Sequence, residues 1–353
     1  MKELSLEKKF ELVKRNTQEI ITEDELKKLL KEKKKPIVYW GTAPTGKPHV
    51  AYFLPALKIA DFLKAGFHVK VLLADLHAAL DNTPWGLVEH RYDYYSAIIP
   101  LMIQAIGVDV KELEIVKGSE FQLKPEYMYD VLKISSVVSV RDSRKAAAEV
   151  VKNVEKDSAK LSGLIYPLMQ AVDEEYLNVD CQLGGLDQRK IMVLARENLP
   201  KIGFNPRIEI MNPMIPGLIG KKMSASDEKS KIDLLDDEKT IKEKIKKAEM
   251  IAGNPDNGIM AFLKYVLMVI KEDNNEEFVV KRDKKFGGDL VYKKYSEIEE
   301  DYVSKKLHPL DLKNAVAEEI FRLLKPIQKH KKRLEKLAKL AYPNSFNSDS
   351  FNP

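Results

Sequence analysis

Four stretches of the chain combine residue types that ordinary packing does not require. GTAPTGKPH, residues 41–49, follows a short apolar run, PIVYW, and is broken by Gly41, Pro44, Gly46 and Pro48. Such residues keep the chain out of regular structure and bring bare backbone close to whatever lies there. A helical pattern starts near His49, so unpaired N–H groups and the positive end of a helix face the same point. Lys47 and His49 add donors, and the set suits an anionic phosphate. Neither a Walker A loop nor a GxGxxG turn is present. An ordinary strand-to-helix turn with a surface lysine fits the composition equally well.

GLIGKKMSASDEKSKIDLL, from Gly217, carries Lys221 and Lys222 directly after two glycines, Gly217 and Gly220, followed by the hydroxyls of Ser224 and Ser226. A lysine loop of this kind can close on a developing negative charge and then release product; a polar linker between domains has the same composition. In LIYPLMQAVDEEYLNVD, Pro167 suits the first turn of a helix. Tyr166, Gln170 and Asp173 then fall at i, i+4 and i+7, which puts a phenol, an amide and a carboxylate on one face. In CQLGGLDQRK a strand ends in Gly184 and Gly185, where a ligand can approach the backbone. Asp187 there could accept from a ribose diol, with Gln188 as donor and acceptor.

These stretches need a scaffold that gathers them. From about residue 36 the pattern alternates: PIVYW as a strand, a helix from Val50 to Ala65 closed by Gly66, then HVKVLLADLH, LEIVKGS, VDCQLGG and RIEIMN as further strands between helical patterns. Apolar strands alternating with helices imply an α/β fold with a parallel sheet covered on both faces, whose ligands sit at the carboxyl ends of strands. Every unusual stretch lies at such an end. After KIDLL the pattern turns mostly helical. The expected divisions are an N-terminal helical segment at 1–35, an α/β domain at 36–232, a helical domain at 233–343 and a polar tail at 344–353.

The chain has 353 residues, is 44% hydrophobic and 32% charged, and carries a net charge of +5. That balance excludes a disordered or fibrous protein, and the mild basicity alone says little about polyanionic partners. One cysteine, Cys181, rules out an internal disulfide framework. The charged start and the lack of any apolar run of membrane-spanning length lead to the expectation of a soluble, cytoplasmic protein with no membrane partner.

PTGKPHVAY resembles the HIGH element of class I aminoacyl-tRNA synthetases, and KKMSAS resembles their KMSKS loop. With LLADLHAALDN, YPLMQAVDEEYLNVD, QLGGLDQRKI and HPLDLKNAVAEEI, the chain from about residue 8 to 342 is similar to the archaeal and eukaryotic branch of tyrosyl-tRNA synthetases. The resemblance implies a Rossmann-like catalytic domain, with an insertion at about 118–165 that forms a homodimer interface, followed by a mostly α-helical anticodon-binding domain. It also implies two steps: L-tyrosine and ATP give tyrosyl-adenylate and pyrophosphate, and tyrosine then moves to the 3′ end of tRNA(Tyr). ATP enters as a substrate with Mg²⁺, and no tightly bound metal is expected.

Carried over residue by residue, the resemblance assigns catalysis to His49, Thr45 and Lys222. Thr42, Tyr52, Gly185, Asp187, Met223 and Ser224 go to ATP. Tyrosine falls to Tyr39 and Asp173 at its hydroxyl, Ala74, His77 and Phe121 at its ring, and Tyr166, Gln170 and Gln188 at its amino group. The anticodon goes to Phe286, His308 and Asp311, and the acceptor stem to Arg144, Lys145, Arg189 and Lys190. Two positions depart from the pattern: Tyr52 replaces the second histidine of HIGH, and Ala225 replaces the second lysine of KMSKS, leaving the transition-state charge to be shared with Mg²⁺ or another cation. The rival readings are tryptophanyl-tRNA synthetase, against which Asp173 opposite Tyr39 favours a phenol over an indole, and a non-catalytic RNA-binding relative, which would be expected to lose His49, Lys222 or Asp187.

Overall fold

The computed structural model describes residues 4–151, 154, 160–217 and 231–343. Lys221, Lys222, Met223, Ser224, Ala225 and Ser226 lie outside the described residues, as do the tail 344–353 and part of the expected insertion.

Five strands form the expected parallel array: β2 (Ile37–Thr42), β3 (His68–Leu73), β4 (Leu113–Lys117), β5 (Cys181–Gly185) and β6 (Ile208–Asn212). The order is β1-β6-β5-β2-β3-β4, and β1 (Glu19–Ile21) runs antiparallel on the edge beside β6. The N-terminal segment, read as helical, therefore also contributes a strand; its three residues are too short to carry a periodic signal. From β2 the chain passes to β3 on one side, while β5 flanks β2 on the other. The carboxyl end of β2 is thus a switch point at which the loops diverge and leave a crevice.

After β2 the chain makes a short turn of 3₁₀ helix at Val50–Tyr52, capped by His49, and enters the helix Phe53–Lys64. Gly66, at φ +89°, ends it. Nine of its residues are buried, including Lys58 and Asp61. The N-terminal helix Leu6–Lys14 packs against it, and Lys58 donates to the carbonyls of Leu12, Val13 and Arg15 and to Asp61. Helix-end carbonyls and a carboxylate together meet the needs of a buried ammonium.

The helix bearing Tyr166 starts at Ser162 and runs to Tyr176, so Pro167 lies inside it rather than in its first turn. Tyr127, Val131 and Ile134 of the insertion share a second apolar cluster with Leu168 and Met169 on the helix Ser162–Tyr176 and with Ile191 and Leu194 on the helix Arg189–Asn198. Beyond residue 233 the chain is helical apart from a hairpin of β7 (Phe278–Val280) and β8 (Leu290–Tyr292). The helices Pro309–Gln328 and Lys331–Ala341 both pack on Val88–Ala105, and one apolar core runs continuously from Phe10 through the sheet to Tyr342.

Candidate active site

A cavity of about 750 Å³ opens at the carboxyl ends of β2 and β5. Of the sites expected from the sequence, Tyr39, Ala74, His77, Tyr166, Gln170, Asp173 and Gln188 line it, as do Thr42, Thr45, His49, Tyr52, Gly185 and Asp187.

At its inner end, three buried polar atoms converge without a partner among the described residues: the Tyr39 hydroxyl, Asp173 Oδ2 and His77 Nε2. The other carboxylate oxygen of Asp173 accepts from Gln122 Nε2 at 2.7 Å and from the Tyr127 hydroxyl at 2.8 Å. Gln122 Nε2 also lies 3.3 Å from His77 Nδ1. Burial pushes the His77 imidazole down to about 4, so it is neutral at physiological pH. Its Nδ1 accepts from the amide, which leaves the ring hydrogen on Nε2, facing Asp173 Oδ2 across 3.8 Å. That gap is too wide for a hydrogen bond. Burial raises the Asp173 carboxyl to about 7 against the opposing bonds from Gln122 and Tyr127. Each unpaired buried group costs about 1–3 kcal/mol. A ligand hydroxyl, which donates and accepts at once, answers the whole set.

Toward the mouth, Gln170 donates to Gln188 Oε1 at 3.2 Å. The two glycines that end β5 have a steric reason: a Cβ at Gly184 would stand 2.6 Å from the Met192 methyl, and one at Gly185 would stand 2.5 Å from Asp187 Oδ1. Asp187 and Gln188 fold back over bare backbone.

The outer end is built by the 41–49 loop. Arg91 donates to the Thr45 carbonyl and to Thr83 Oγ1, while Tyr95 and Tyr342 both donate to the Gly46 carbonyl. Val50 N–H donates to the Ile232 carbonyl, so residues 49–50 pair with the strand-like segment just after the lysine loop. His49 Nδ1 accepts from Ala51 N–H, which assigns the ring hydrogen to Nε2. Burial, reinforced by Lys231, lowers this imidazole to about 4. His49 is therefore a neutral hydrogen-bond donor in a water-poor site. Lys47 does not join it: its ammonium meets Asp233 at 2.8 Å and ties the loop to the segment after residue 231.

Two of the expected residues meet the cavity less directly. Phe121 is absent from the cavity wall; it stacks on Tyr176 and meets Tyr127 edge-on at 5.6 Å, one layer behind Asp173. Tyr52 lines the cavity, but its hydroxyl pairs with that of Tyr95 at 3.1 Å, so it presents its ring, edge-on to His49. Sequence reasoning missed Gln122 and Tyr127, which hold Asp173, and Gln182 and Arg91 on the wall.

Away from the cavity, Arg144 and Lys145 are exposed on the helix Val140–Ala147. Arg189 forks onto Glu19, and Lys190 meets Glu149 at 2.7 Å. Phe286 is 64% exposed. His308 caps the helix Pro309–Gln328 by accepting from Leu310 N–H, with Asp311 in the first turn.

Residues 31–325 match the family of class I tRNA synthetases for tryptophan and tyrosine. The cytoplasmic tyrosine–tRNA ligase of Danio rerio is 52% identical over 346 residues, covering 97% of this chain, which spans only 64% of that protein's length. A probable cytoplasmic tyrosine–tRNA ligase of Encephalitozoon cuniculi is 43% identical over 341 residues, 96% of this chain and 100% of the relative. Among solved structures, a tyrosyl-tRNA synthetase from Archaeoglobus fulgidus complexed with L-tyrosine is 38% identical, with a TM-score of 0.85 over 93% of this chain and 100% of that one.

Proposed function

This chain belongs to the class I tRNA synthetases of the tryptophan and tyrosine group, and on that premise we propose that it activates L-tyrosine with ATP and transfers it to tRNA(Tyr). The observation that carries the choice of amino acid is the trio of unpartnered atoms on Tyr39, His77 and Asp173 at the closed end of the cavity. A phenol hydroxyl donates to Asp173 Oδ2 and accepts from Tyr39 or His77. An indole N–H only donates, and would leave the other donors unmet.

With the phenol at that end, the amino group reaches Tyr166, Gln170 and Gln188, and the carboxylate points toward the 41–49 loop. A carboxylate oxygen then attacks the α-phosphorus of ATP, which enters as its Mg²⁺ complex, and the bond to pyrophosphate breaks. The chemistry needs alignment and charge neutralisation more than proton transfer. The Nε2–H of His49, the Thr42 and Thr45 hydroxyls and the lysine loop at Lys222, with Met223 and Ser224 against the nucleotide, supply them; Gly185 and Asp187 hold the ribose. In the second step a ribose hydroxyl of the tRNA end attacks the tyrosyl carbonyl, and AMP leaves. ATP–pyrophosphate exchange dependent on tyrosine tests the first step.

The reading takes residues 233–343 as the anticodon-binding unit. Exposed Phe286 and His308 suit a base stack and Asp311 an edge contact, a common way to read an unpaired RNA base. Asp311→Ala is expected to raise KM for tRNA by about tenfold, the equivalent of one lost hydrogen bond to a charged group, and to leave pyrophosphate exchange unchanged. A normal tRNA KM in that variant contradicts the anticodon role. Arg144, Lys145, Arg189 and Lys190 serve the acceptor stem, the last two after exchanging their carboxylate partners for phosphate. The insertion exposes Leu123, Met128, Tyr129, Leu132 and Val140, an apolar surface that supports a homodimer. No described helix is long and apolar enough to cross a membrane, and a cytoplasmic location accords with the names of the relatives.

A further inference from the structure

Three helix ends from three parts of the chain meet around one arginine. Arg15 is the C-cap of the helix Leu6–Lys14, Asp61 lies in the last turn of Phe53–Lys64, and Asp273 is the last residue of Met268–Asp273. The guanidinium forks onto both carboxylates. Nε and Nη2 donate to Asp61, while Nη1 and Nη2 donate to Asp273 at 2.6 and 2.7 Å. Lys58 meets Asp61 at 3.2 Å, and Lys64 meets Asp273 at 2.7 Å. The C-terminal end of a helix is an unfavourable place for a carboxylate. Arg15, Lys58 and Lys64 offset that at both ends, with Asp61 and Lys58 buried among them. A two-sided fork of this kind fixes direction as well as distance. None of these residues lines the cavity.

Each partner of Arg15 belongs to an element that leads to one of the two proposed sites. The helix Phe53–Lys64 continues the turn that His49 caps. Asp273 precedes β7, the first strand of the hairpin whose connection carries Phe286. On the same helix as Asp273, buried Lys271 meets Glu319 at 2.9 Å. Glu319 lies on Pro309–Gln328, which His308 caps and which carries Asp311 in its first turn. A π-helical turn at Leu263–Leu267, just before Met268–Asp273, packs on Phe53–Lys64. The shared apolar core holds these helices together, but apolar attraction has no direction. The fork of Arg15 sets how they are turned.

We propose that Arg15 is a positioning residue for tRNA charging: by joining Asp61 to Asp273 it fixes the helical domain against the catalytic domain, so that one tRNA spans the anticodon surface and the cavity together. The inference rests on the tRNA reading of the helical domain. A stiff ligand gains from two contacts at once only when the two sites keep the spacing it demands. Amino-acid activation makes no such demand, because tyrosine and ATP both sit in the catalytic domain. Loss of the bridge therefore forfeits the anticodon contact and leaves the first step as it was.

Steady-state charging of tRNA(Tyr) by the wild type, Asp273→Ala, Asp311→Ala and the double variant tests this. Asp273 is the safer residue to remove, since Asp61 keeps both Arg15 and Lys58. Asp273→Ala is expected to raise KM for tRNA by about tenfold, with tyrosine-dependent pyrophosphate exchange within about twofold of wild type. In that background Asp311→Ala is expected to raise KM by less than about threefold more, because the contact is already forfeited. Substitutions that act independently add, and Asp311 stands about two helical turns before Glu319, so a shortfall reports domain orientation. Arg15→Gln cuts the same bridge from the other side; it is expected to match Asp273→Ala and to add nothing to it. Additive effects, an equal fall in exchange and charging, or a normal tRNA KM in Asp273→Ala overturns the proposal. A normal tRNA KM in Asp311→Ala alone instead overturns the anticodon reading, and this inference with it.

Discussion

Alanine at position 173 is expected to lower kcat/KM for tyrosine in ATP–pyrophosphate exchange by about 10²–10³-fold, with KM for ATP changed by less than about threefold. Two losses combine. The phenol of the substrate loses a charged acceptor in a site closed to water. Gln122 and Tyr127, which now share Asp173 Oδ1, lose a common partner and are left buried. Each such loss is worth about 1–3 kcal/mol, and their sum gives the range. An unchanged KM for ATP shows that the fold and the outer end of the cavity survive. Tyrosine-dependent exchange within tenfold of wild type would mean that the carboxylate does not hold the substrate. The same group sets a pH limb. Its ionised form is the acceptor and its folded-state value is about 7, so tyrosine affinity falls as the pH drops through that value.

His49→Ala is expected to slow single-turnover adenylate formation by about 10²–10³-fold while leaving tyrosine affinity within about twofold, the pattern for a donor that acts on charge developing in the transition state. The His49 ring is nearly enclosed, and its Nδ1 is already engaged by Ala51 N–H. It has one hydrogen to offer, and the cavity is the place to offer it. Its imidazole is held down to about 4, so the first-step rate should show no histidine titration between about pH 6 and about pH 8. A protonated, cationic His49 would instead give a rate that falls as the pH rises through that window. Wild-type adenylate formation by the alanine variant would remove His49 from the chemistry.

The parts of the site written in local sequence were the ones most readable. Tyr166, Gln170 and Asp173 share a helical face because of their spacing alone, and the helix carries them into the cavity although its start was misplaced at Pro167. Gly184 and Gly185 were legible as a close approach, and the structure supplies its cause in Asp187, Gln188 and Met192. What stayed hidden was long-range. Gln122 and Tyr127 reach Asp173 across about fifty residues of chain. Nothing in FQLKPEYMY marks an amide and a phenol as the support for a distant carboxylate. Lys47 misled in the opposite way, since its spacing from His49 suggested a phosphate ligand while Asp233, nearly two hundred residues away, holds it. The burial of Lys58 and of Glu174 depends on which elements cover them, and a single strand or helix pattern carries no record of that.

One measurement bears most directly on the whole account: ATP–pyrophosphate exchange by this chain with each standard amino acid supplied separately. Rapid exchange with tyrosine alone is the predicted result. Exchange driven better by tryptophan, or by no amino acid at all, would contradict it.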